Sequence, residues 1–479
     1  MIKNILFLAL LAVQTAVAVP QNLDRRADSD STANTPSPAA TPTPDPGSDS
    51  GDEGGFVNAI YYREGQAFSA LLDDGHKISN IEGQQITHII YGFAKINTDG
   101  AVISGNSEAD LGGTFLSDHK AGGNVRALFE LKEKYKHLKI ILSIGGPANS
   151  KAGQFGNIRQ IDSGWRDFAL SAVNLMYDWG FDGINIHWEY LKSDDASNLG
   201  LLLKVCREQL KERSEENNKY PYSLSMTTPG KYEQYKFLNF KEISDNVDFL
   251  FVKSYDYATD GEVYTISHSS NIYGDRSYGG NATLYSTDDA LKYYLDGGAS
   301  PKKIILGIPL HGRAFTRQGK GLGDVGLPKL NSDTKDGAYY YKDLPIGNEE
   351  VDEELIAAWS YNAKDKAIYS YDNVQTVAAK VHYIKEMKLG GVVFSEAYGD
   401  KKDEDSLVFT ACRKLCNLDR SDNQLDYPGS RYINISNDDD DDDDEDEDGD
   451  EDYNKQKRAG IPQWKRANKG NNCRDLCSA

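Results

Sequence analysis

The sequence predicts an α/β protein, a (β/α)8 TIM barrel with a small α+β insertion between strands 7 and 8. Three observations point there. Short apolar, β-branched runs alternate with stretches of helical periodicity between about residues 56 and 416, eight such runs can be drawn, and the 479-residue chain suits one barrel once its two compositionally distinct ends are set aside.

The expected strands, in order, are "FVNAIYY", "HIIYGFA", "KIILSI", "GINIHWEY", "SLSMTT", "FLFVKSYDY", "KIILGIP" and "GGVVFSE". Segments such as "GWRDFALSAVNLMYDWG", "LGLLLKVCREQLKER" and "STDDALKYYLDGG" carry helix patterns and would cover the sheet. The Tyr-rich stretch at about 314–372 would form the insertion.

The ends read differently. Residues 1–18 contain one lysine, the apolar run "ILFLALLAV" and "AVA", the pattern of a cleaved signal peptide, which makes the protein secreted, extracellular or cell-wall associated. Residues 19–54 are rich in Pro, Ser, Thr and Asp and read as a linker or propeptide. The barrel is expected over 55–416, an acidic disordered segment over 417–458, and a dibasic-flanked tail containing Cys473 and Cys477 over 459–479. The net charge is −21, of which residues 438–452 supply 14 negative charges. This balance argues against nucleic acid or an anionic membrane as partner, and a monomer is expected.

Two similar pieces, "CRKLC" (Cys412, Cys416) and "CRDLC" (Cys473, Cys477), suggest cross-bridges tethering the tail, with Cys206 a lone buried thiol. Their spacing is not that of a zinc knuckle, so no metal or other cofactor is expected. Asn281 and Asn434 open possible glycosylation sequons.

Chemistry in such barrels sits at the carboxyl ends of the strands. In "GINIHWEY" alternation puts Asn185, His187 and Glu189 on one face and Ile184, Ile186 and Trp188 on the other. The apolar set must face the helices. Three polar residues facing the lumen are costly to bury unless partnered, which points to a site.

This segment resembles glycoside hydrolase family 18, the chitinases, whose fourth strand carries Asp-Gly-x-Asp-x-Asp-x-Glu. Strand three's "LSIGG", the "SYDY" at 254–257, "LGIPLHGRAF" and "LGGVVFSEAYGD" resemble four further motifs of that family in the same order. The resemblance implies that the substrate's own acetamido oxygen attacks the anomeric carbon. It assigns Glu189 as general acid and Tyr255 as the hydroxyl that holds the acetamido group. Asp182 and Asp256 match supporting acids, and Arg313 and Glu396 match groups around the cleft. Tyr61, Tyr91, Phe93 and Tyr190 are candidate sugar-binding aromatics, and chitin or its oligosaccharides the implied partner.

The departures are as informative. His187 and Asn185 stand where the family has aspartates, Lys253 replaces a methionine, His311 a tyrosine, Ser395 the tryptophan that floors the central sugar site, and Pro147 an aromatic. Losing a negative charge and adding a positive one beside a forming cation removes electrostatic stabilisation, at about 10²–10³ in rate per group. The expected function is therefore recognition of chitin or N-acetylglucosamine oligosaccharides with hydrolysis lost or strongly impaired. The alternatives are an active endochitinase, a precursor releasing C-terminal peptides at Arg458 and Arg466, and a basic lumen that takes an anionic ligand.

Overall fold

A computed structural model describes residues 54–65, 77–112, 119–158, 163–189, 191–258, 266–275, 283–317, 326–328 and 337–436. The expected signal peptide, linker, acidic run, C-terminal tail and Asn281 lie outside them.

Eight parallel strands form the barrel: β1 (Val57–Arg63), β2 (His88–Ile96), β3 (Lys139–Gly145), β4 (Gly183–His187), β5 (Ser223–Pro229), β6 (Phe249–Lys253), β7 (Ile304–Pro309) and β8 (Gly391–Ser395). Each pairs with its neighbour in sequence order, and β1 pairs with both β8 and β2, which closes the ring. Alternation sorts the side chains. Val57, Ala59, Tyr61, Ile90, Ile141, Phe251, Ile305 and Val393 pack inside the barrel, while Ile184, Ile186 and Trp188 join the larger core beneath the helices.

The helices that the periodicity marks are present, at Gly164–Asp178, Ala196–Glu216 and Thr287–Asp296. The last begins where Ser286 Oγ accepts a hydrogen bond from the Asp289 amide, so the sequence "STDD" is its cap. The insertion is a six-stranded antiparallel sheet spanning 311–371; one 3-10 turn, Tyr341–Asp343, is the helical part among its described residues.

Residues 417–436 correct the expected boundary at 416. Although their sequence is polar, they lie as a strap across the amino-terminal end of the barrel. Leu418 bridges Phe56, the Asn423 amide donates to the carbonyls of Lys132, Tyr135 and Leu138, and Tyr427 and Ile435 are fully buried. Several of its polar side chains, Asn423, Arg420 and Ser430 among them, satisfy backbone carbonyls, so the segment packs without being apolar. Cys412 and Cys416 are both disulfide-bonded and Cys206 is a buried free thiol, as expected; the expected partners Cys473 and Cys477 lie outside the described residues.

Candidate active site

A cleft of about 450 Å³ opens at the carboxyl ends of the barrel strands. Its wall contains Tyr61, Phe93, Pro147, His187, Glu189, Lys253, Tyr255, Asp256, His311, Arg313, Ser395 and Glu396, so twelve of the sixteen residues singled out from sequence meet in one place. Three others do not, and Tyr190 lies outside the described residues.

At the end of β4 the buried carboxylate of Glu189 uses a single oxygen twice. Oε1 accepts a hydrogen bond from Lys253 Nζ at 2.6 Å and another from His187 Nε2 at 2.6 Å. Burial alone would push this carboxyl up, but the Lys253 ammonium and the His187 bond outweigh it and hold the group well below the usual carboxylate range. Glu189 is therefore an ion-paired carboxylate in this structure. His187 is fixed on its flanks by perpendicular contacts with Phe93 (5.0 Å between ring centres) and Tyr61 (6.0 Å).

The remaining charges are paired in the same manner. Asp256 occupies the left-handed backbone region (φ 60°), which aspartate tolerates, and its Oδ1 receives His311 Nε2 at 2.9 Å and Arg313 Nε at 2.8 Å. Burial raises its carboxyl, but Arg313 and His311 overcome this and leave it well below the ordinary value. Arg63 meets Glu396 at 3.4 Å. Each acid of the cleft thus has a basic partner, and the expectation of a basic lumen selecting an anion is not supported.

Tyr255 is buried beside this cluster. Burial pushes its phenol up to about 12.

Three expected site residues belong elsewhere. Asp182 precedes β4 and lies at the opposite end of the barrel. Its Oδ2 is 2.9 Å from the fully buried Lys132 Nζ and accepts the Ile140 amide, while Oδ1 accepts from Tyr220 and the Gln424 amide. It is an anchor for the strap. Asn185 is saturated inside the barrel: Tyr61 reaches Thr227, and Thr227 and Ser143 donate to Asn185 Oδ1, whose amide donates to Ser225. Tyr91 faces the helices, hydrogen-bonded to Asp110 and Asn124. Its register with β3 shifts between Gly92 and Ala94, and this irregularity turns Phe93 into the cleft while Tyr91 stays outside.

A closed parallel barrel with a glutamate at the carboxyl end of its fourth strand, and a tyrosine and an aspartate past the sixth, is the frame of a carbohydrate-processing (β/α)8 protein. The profile of the glycosyl hydrolases family 18 matches residues 58–400, and the chain belongs to that family. It is 34% identical over 391 residues to Chitinase 1 of Aphanocladium album, covering 80% of this chain and 90% of that protein. It is 32% identical over 395 residues to Endochitinase 1 of Metarhizium robertsii, with the same coverage. Among solved structures, the catalytic domain of chitinase B from Arthrobacter superposes with a TM-score of 0.68 at 23% identity, over 75% of this chain and 95% of that one. A chitinase-like agglutinin from Robinia pseudoacacia superposes at 0.63 and 22%, over 75% and 99%. These two likenesses concern the fold.

Proposed function

We propose that this chain is a secreted chitinase-like protein that binds chitin or N-acetylglucosamine oligosaccharides and has lost efficient hydrolysis. One observation carries the loss of hydrolysis, the contact of Lys253 Nζ with Glu189 Oε1 at 2.6 Å. A general acid must hold a proton at the working pH, and a partly buried lysine on its oxygen favours the opposite state. His187 compounds the loss, because an imidazole replaces the negative charge that would balance a cationic intermediate. Retention of a sugar ligand is supported by family membership and by the open cleft with Phe93 on its wall. Secretion is supported by the amino-terminal pattern.

The test is paired. Hydrolysis of chitotriose and binding of chitin oligomers are measured for the natural protein and for Glu189→Gln. The expected result is binding in both and hydrolysis in neither. Hydrolysis that Glu189→Gln abolishes would establish the endochitinase reading instead, and binding absent from both would remove the lectin reading.

A further inference from the structure

Besides its two histidines, the cleft wall carries the acids Glu189, Asp256 and Glu396 and the bases Arg63, Lys253 and Arg313, so the two signs cancel. Each acid is held by a base of the same wall: Glu189 by Lys253 at 2.6 Å, Asp256 by Arg313 at 2.8 Å and Glu396 by Arg63 at 3.4 Å. A ligand that brings a positive charge must displace one of these bases to reach a carboxylate. Where it does not, the base repels it.

The bases differ in what they present to a ligand. Arg63 is 57% exposed, so water and salt screen its charge. Arg313 shares one oxygen of Asp256 with His311 at the insertion side of the cleft. Lys253 ends β6 and is mostly buried beside a buried acid, where its charge is screened least. Together with Glu189, Tyr255 and Asp256 it also lines a smaller recess that includes Thr228, Lys231 and Gln234. Among the described residues, Lys253 is the one lysine or arginine on both walls. A ring substituent entering either space comes up against the same ammonium.

The units of a chitin chain differ in one such substituent. An acetamido group is uncharged, whereas the amine left by deacetylation is protonated. The first brings no charge to this wall, and the second brings a charge of the same sign as Lys253. We propose that Lys253 is a specificity-determining residue, which makes the cleft accept N-acetylated units and reject deacetylated, cationic ones. The selection works by an unfavourable contact with the wrong ligand. It rests on the oligosaccharide-binding reading above.

Calorimetric titration with chitohexaose and with the fully deacetylated glucosamine hexamer tests it, on the natural protein, Lys253→Met and Lys253→Gln. Physiological salt screens the acidic run outside the cleft, and the pH is held where the amines are charged. The natural protein binds chitohexaose at least tenfold more tightly than the glucosamine hexamer, and each substitution narrows that ratio by roughly tenfold, the scale of one partly screened charge contact. Lys253→Gln keeps a polar side chain on the wall and decides the matter if the methionine variant does not fold. A natural protein that binds the glucosamine hexamer as tightly as chitohexaose overturns this proposal and leaves the binding function standing, as does a ratio that the substitutions leave unchanged. A natural protein that binds neither hexamer overturns both.

Discussion

Lys253 Nζ and His187 Nε2 converge on the same oxygen of Glu189, each at 2.6 Å, while Glu189 Oε2 is buried and makes no hydrogen bond. The two donors come from different strands, one two residues upstream of Glu189 and the other from the end of β6. Both therefore act on the charge state of the acid, and either can be removed without moving the barrel.

Replacing Lys253 with methionine removes the ammonium and leaves burial as the dominant influence on Glu189, which pushes its carboxyl upward. Carbon-detected NMR titration of the glutamate carboxyls is expected to show one signal moving upward from below the usual range. Hydrolysis should stay undetectable in this single variant, because His187 still supplies no negative charge. It should rise at least tenfold over the natural protein when His187→Asp and Ser395→Trp are added. No rise in the triple variant would show that the lesion lies elsewhere.

A second pH effect comes from His268, which is fully buried with neither ring nitrogen hydrogen-bonded. Burial pushes its pKa from 6.5 down to about 4. The neutral ring is the folded form, so its stability contribution is complete above pH 6.5, is lost as pH falls from 6.5 to 4, and changes no further below that. The loss is about 3 kcal/mol. Asp400 acts with the opposite sign, since burial raises its carboxyl to about 6 and favours folding at the acid end of the same interval. A His268→Gln variant isolates the histidine: its denaturant midpoint should fall less than that of the natural protein between pH 6.5 and 4. Parallel curves would exclude the assignment.

The barrel was legible because β-branched runs and helical periods are local signals, and the eight expected runs coincide with β1 to β8 to within a few residues at their ends. The lumen-facing stack of Asn185, His187 and Glu189 followed from alternation alone. What alternation could not supply was interruption of the pattern: Tyr91 and Phe93 are two apart and should share a face, but the shift after Gly92 separates them. Nor does a motif reveal which end of a strand a residue occupies. Asp182 begins the same matched motif that Glu189 ends, and the strand between them places one at each end of the barrel. The strap was illegible for another reason, since its burial depends on polar side chains meeting backbone carbonyls distant in sequence, with little apolar pattern to mark it.

The position of Asp182 has a direct consequence. Asp182→Ala leaves Lys132 charged and fully buried without its partner, which is expected to cost about 3–5 kcal/mol. Affinity of the surviving folded protein for chitohexaose should be unchanged, because the residue is remote from the cleft. A stable variant with impaired binding would restore Asp182 to the site.

Asn434 illustrates how folding competes with a sequence motif. Its sequon, Asn434 to Ser436, meets the pattern for glycosylation, yet the folded strap presents neither half of it. Asn434 Oδ1 accepts the Ala121 amide and Nδ2 donates to the Ala121 carbonyl, both at 2.8 Å, and Ser436 is buried with its hydroxyl on the Ile433 carbonyl. A glycan added at Nδ2 would have to leave from a nitrogen pressed against Ala121, so modification and docking of the strap exclude each other. Mass spectrometry of the protein purified from a glycosylating host should find the Asn434 peptide unmodified, with no change on enzymatic deglycosylation. Asn434→Ala removes both bonds and should cost about 1–3 kcal/mol, read as faster amide exchange along the strap while the barrel strands keep their protection. A glycan at Asn434 in a protein whose strap amides remain protected would contradict this clasp.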